Sequence, residues 1–78
     1  MKHFEIIYFV GNHAFTWECT TAYEALEAVS DIMAHDNRGH YYDDNMDELM
    51  KDIVEMKSGK KLSIECRVFK IRYVDGEV

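Results

Sequence analysis

A chain of 78 residues has room for one hydrophobic core, so positions 1–78 read as a single small domain. Apolar residues at 47% and aromatics at 13% exclude disorder despite a net charge of −6, and no apolar run approaches the roughly 20 residues of a membrane helix. The charge is segregated, at −1 over residues 1–20, −8 over 21–56 and +3 over 57–78, and a pI near 5.0 disfavours a nucleic-acid binder.

Met1 to Glu5 lacks the apolar stretch and small-residue cleavage site of a signal peptide, so a cytoplasmic location is expected. Residues 3–10 (HFEIIYFV) are aromatic and β-branched, which predicts a strand. Gly11-Asn12-His13 supplies a turn, and residues 14–20 (AFTWECT) then alternate, with Phe15, Trp17 and Cys19 on one face. The two runs form a hairpin.

Thr21 stands three residues before Glu24, a capping-box spacing that opens a first helix. Its inward stripe is Ala22, Ala25, Leu26, Val29, Ile32 and Met33, and Gly39 is the expected stop after unwinding near Asp36. A second helix starts near Asp43, Asp44 or Asn45 and ends at Ser58-Gly59. Its stripe is Met46, Leu49, Met50, Ile53 and Val54. Leu62 to Val74 reads as one strand whose inward set changes from Leu62, Ile64, Cys66 and Val68 to Phe69, Ile71 and Tyr73, as a β-bulge would make it. Such a strand would span about 40 Å against roughly 25 Å for the first.

The order β-β-α-α-β makes the third strand parallel to the first. The first strand is apolar on both faces and belongs at the sheet centre. These features predict an α+β two-layer sandwich: a three-stranded mixed sheet of order 2-1-3, or the meander 1-2-3, with two antiparallel helices on one face.

Three surfaces could carry function. The loop between the helices holds His35, His40 and Asp43, residue types that ligate metals, but their spacing matches no established site. Cys19 and Cys66 lack CxxC spacing and are expected to be buried free thiols. No phosphate loop, nucleophile elbow or paired-carboxylate motif occurs, so no catalytic residue and no cofactor is expected. The second surface is acidic: Glu24, Glu27 and Asp31 share one side of the first helix, and Glu48, Asp52 and Glu55 one side of the second. The third is cationic, with Arg67, Lys70 and Arg72 on the last strand.

Charge segregation without a catalytic pattern favours a non-enzymatic interaction module of bacterial or phage type. It would bind a basic partner protein through its acidic helical face, with nucleic-acid mimicry or inhibition as one form of that activity. Contacts are expected at Tyr41, Tyr42, Asp43, Asp44, Asp47, Glu48, Asp52 and Glu55, the two tyrosines as anchors. One alternative is a metal- or small-molecule-binding protein centred on His35, His40 and Asp43. The other is a structural homodimer joined through Ile7, Phe9, Phe69, Ile71 and Tyr73, by an open apolar face and an overhanging strand.

Overall fold

A computed structural model describes residues 1–36 and 45–76 of the chain. Its first hairpin turns on Gly11, which sits at φ +58°, a left-handed value that two-residue hairpin turns need and glycine adopts without strain. Strand β1 (Lys2–Val10) thereby folds back on β2 (His13–Cys19), with Val10 opposite His13 and Phe4 opposite Cys19.

Helix α1 (Ala22–His35) opens on the expected capping box: Thr21 Oγ1 accepts from the Glu24 N–H at 3.1 Å, and Glu24 Oε1 accepts from the Thr21 N–H at 3.2 Å. It ends at His35, with an extended Asp36 as C-cap; the expected stop at Gly39 lies outside the described residues. Asn45 caps α2 (Met46–Lys57): its Oδ1 accepts from the Glu48 N–H at 3.2 Å, and its Nδ2 donates to the Glu48 carboxylate at 3.2 Å. Beyond α2, Gly59 at φ +87° reverses the chain.

The final segment departs from expectation. It is two strands, β3 (Ser63–Glu65) and β4 (Phe69–Asp75), paired antiparallel with Ile64 opposite Ile71. The Cys66 N–H donates to the Phe69 carbonyl at 2.8 Å and closes a turn over Arg67-Val68. A two-residue turn pairs even positions with odd ones, so the inward set changes parity without a bulge. The reversal also makes β4 antiparallel to β1, where a parallel strand was expected. The sheet therefore has four strands, all antiparallel, in the order β2-β1-β4-β3, with β1 inside it.

Phe4, Ile6, Ile64, Phe69 and Ile71 of the sheet form one buried cluster with Ala25, Val29 and Ile32 of α1 and Leu49, Ile53 and Met56 of α2. Helix α1 packs on β1 and β2, and α2 on β3 and β4. The buried stripe of α2 is turned away from the expected one: Asp52 and Met56 are inside, while Val54 is 48% exposed. Among the described residues no helix is long and apolar enough to cross a membrane.

Candidate functional site

The alternation of β1, β2 and β4 decides which side chains share a face. Phe4, Ile6 and Tyr8 lie opposite Cys19, Trp17 and Phe15 on one side and Tyr73, Ile71 and Phe69 on the other, all toward the helices. Glu5, Ile7 and Phe9 therefore point to the opposite face, with Arg72 and Lys70. There Arg72 donates to the Glu5 carboxylate through Nε at 2.8 Å and Nη2, and Lys70 pairs with Glu65 at 2.9 Å. Two of the three cations expected on the last strand are thus matched by acids across the ladder.

The expected dimer surface is divided by this alternation. Ile7 is half-buried and Phe9 is 41% exposed, but Phe69 and Ile71 are wholly inside the core on the other face. The Tyr73 ring lies 4.6 Å from that of Phe4 and tilted 44° to it, also on the helix side. The overhang invoked for edge pairing disappears with the β3–β4 reversal.

The acidic face expected on α2 is also reduced. Asp47 and Glu48 are exposed and Glu55 half-buried, but Asp52 is only 7% exposed and accepts an ion pair from Lys61 Nζ at 3.1 Å. The α2 stripe turns inward on Leu49, Ile53 and Met56, and Asp52 shares that side of the helix. Tyr41, Tyr42, Asp43 and Asp44 lie outside the described residues, as do His40 and Asp43 of the metal reading. His35 is described, and its Nδ1 donates to the Asp31 carbonyl at 2.8 Å. No group of three or more potential metal ligands is assembled among the described residues.

A different site is assembled between β2 and α1. A groove of about 530 Å³ is lined by Tyr8, Trp17 and Cys19 from the hairpin and by Glu24, Glu27, Ala28, Asp31, Ile32 and His35 from α1. It exists because the helix layer leaves the outer strand partly uncovered: Phe15 is 53% and Trp17 43% exposed, although both face the helix side. The Tyr8 and Trp17 rings lie 6.3 Å apart and 24° from parallel, with Phe15 6.4 Å from Tyr8. The Tyr8 hydroxyl donates to Asp36 Oδ2 at 2.7 Å, fixing the ring at the end of α1. Glu24, Glu27 and Asp31 recur on one side of α1, as their spacing in the sequence predicts.

These carboxylates are not equivalent. Glu24 accepts from Thr21 and Thr20, and those hydrogen bonds, the Thr21 hydroxyl first, lower its pKa from the usual 4.5. A lowered folded value means that Glu24 adds stability above pH 4.5, which is lost as pH falls through the folded value. Glu24→Gln keeps the capping geometry but cannot titrate. Its melting temperature, followed by circular dichroism between about pH 3 and pH 7, is therefore expected to fall less steeply on acidification than that of the parent. Glu27 and Asp31 have no cationic side chain paired with them among the described residues. Cys19 and Cys66 are half-buried thiols. Burial first, and then the charge of Glu24, pushes the Cys19 thiol above its usual value of 9.0, so it stays protonated and poorly nucleophilic at neutral pH.

No family model matches this sequence, and no curated protein or solved structure proved similar to it.

Proposed function

We propose that the protein is a non-enzymatic recognition module that takes cationic side chains of a basic partner protein into the groove between β2 and α1. The observation that carries this reading is one groove with an aromatic floor, Tyr8 and Trp17, and carboxylates, Glu27 and Asp31, on its helical wall. Aromatic faces attract a lysine or arginine cation by about 0.5–2 kcal/mol, more as the site is desolvated. Adjacent carboxylates add charge-assisted hydrogen bonds, and arginine can engage one through two parallel bonds. The net charge of −6 steers such partners from a distance, with Asp47 and Glu48 of α2 contributing to the field. The Cys19 thiol, held protonated, offers no activated nucleophile in the groove.

Trp17 is the chain's one tryptophan and reports occupancy directly. N-acetylarginine amide and a lysine-rich peptide are each expected to change its fluorescence, less so as salt is raised. Combining Glu27→Gln with Asp31→Asn should weaken either ligand by about tenfold, whereas Asp47→Asn with Glu48→Gln should change affinity by no more than about twofold. No Trp17 response to either ligand, or equal binding by the groove variant, would remove this reading.

A further inference from the structure

Part of the floor of the groove, at Trp17, is also the outermost strand of the sheet. Strand β2 is seven residues long and, among the described residues, pairs only with β1. Its hydrogen-bonding phase follows from bonds elsewhere in the sheet. The Phe9 N–H donates to the Val68 carbonyl and the Gly76 N–H to the Met1 carbonyl, so odd residues of β1 bond toward β4. Even residues of β1 then bond toward β2, to Phe15 and Trp17 among others. The alternation leaves the backbone N–H and C=O groups of Ala14, Thr16 and Glu18 directed at the outer edge.

Sheet edges are ordinarily blunted by lysine, proline, bulges or extreme shortness. The opposite edge, β3, is only three residues long. Strand β2 contains no lysine and no proline, and its register with β1 runs unbroken from Val10–His13 to Phe4–Cys19, so it holds no bulge. A full-length, unprotected edge thus runs beside the acid-walled groove.

We infer that β2 accepts an extended segment of a basic partner as a fifth, antiparallel strand, with lysine or arginine at every second position entering the groove. This rests on the cationic reading of the groove and adds the partner's conformation and pattern to it. In an antiparallel ladder, partner residues opposite Ala14, Thr16 and Glu18 turn their backbone groups to β2 and their side chains to the open face. The residues between them turn their backbone away and place their side chains beside Phe15 and Trp17, below Glu27 and Asp31. Long cationic stems cover the exposed rings while their charged ends meet the carboxylates. A second copy of the chain fits the same edge poorly. Pairing two β2 strands would bring two acid-walled α1 faces together, in molecules that each carry −6.

The test uses the full chain and a capped heptapeptide alternating threonine or valine with three lysines, read by Trp17 fluorescence. N-methylation of the valine and threonine nitrogens blocks the edge that pairs with β2; N-methylation of the lysine nitrogens blocks the far edge. The first is expected to weaken binding by about tenfold or more and the second by no more than about threefold, since both remove backbone donors but only the threonine and valine set is used. If both methylated peptides bind like the parent, strand addition is overturned while the cationic groove stands. If neither the parent peptide nor N-acetylarginine amide perturbs Trp17, the groove reading fails and this inference with it. Light scattering at twice 9.2 kDa, with slow exchange of the Ala14, Thr16 and Glu18 amides, would show the edge occupied by a second copy and overturn the proposal.

Discussion

Phe69→Ala is expected to cost about 3–5 kcal/mol, the loss typical of removing a wholly buried aromatic ring from a core that closes only partly behind it. Phe69 is fully buried and belongs to the central cluster with Ile6, Ile71 and Leu49. Total stabilities of such domains are about 5–15 kcal/mol, so the variant should melt at least about 12 °C lower or fail to fold. Phe9→Ala, on the other face and 41% exposed, should cost about 1 kcal/mol or less. Urea and thermal unfolding of the two variants separate a core role for Phe69 from an interface role. Equal, small losses, with a change in molecular mass for either, would restore the interface assignment.

Lys61→Ala should be the second costly substitution, at about 1–3 kcal/mol, because it leaves a buried carboxylate without its ammonium partner. The two ends of this ion pair differ: the Asp52 side chain is 11% exposed and the Lys61 side chain 40%. Asp52→Ala is therefore expected to cost less than Lys61→Ala, since the lysine left behind can turn to water whereas the aspartate cannot. Replacing both by apolar residues of similar size, Asp52→Leu with Lys61→Met, should recover most of the loss. Chemical denaturation of the four proteins forms the cycle that measures this. A Lys61→Ala cost below about 0.5 kcal/mol would make the contact an ordinary surface pair.

Local signals survived folding best. The Thr21–Glu24 and Asn45 caps, the glycine turn at Gly11 and the inner position of β1 are short-range or compositional features, and the structure places them as the residues imply. The β3–β4 turn carried no such signal. Arg67 and Val68 occupy it, with neither glycine, asparagine, aspartate nor proline to mark a reversal, and a parity change in an apolar run looks alike for a bulge and a hairpin. Asp52 was misplaced because periodicity treats every carboxylate as outward; the approach of Lys61, nine positions later, helps make its burial tolerable.

The groove was half legible. The side of α1 that carries Glu24, Glu27 and Asp31 was visible, and so was the alternation of Phe15 and Trp17. Their meeting was not. Two helices about 10 Å apart cannot fully roof four strands at about 4.8 Å spacing, twist included, and which strand stays bare is decided by tertiary packing.

The middle of the sheet joins the two ends of the described chain: Lys2 lies opposite Asp75, and the Met1 amino group meets the Asp75 carboxylate at 3.1 Å. Each hairpin can close by itself within microseconds, but the seam between them spans more than sixty residues of sequence. During synthesis β2 can find β1 early, while the central pairing, like the β3–β4 hairpin, must wait until β4 has been made. Trimming a few residues at either end would accordingly loosen the sheet at its central seam instead of at its rim.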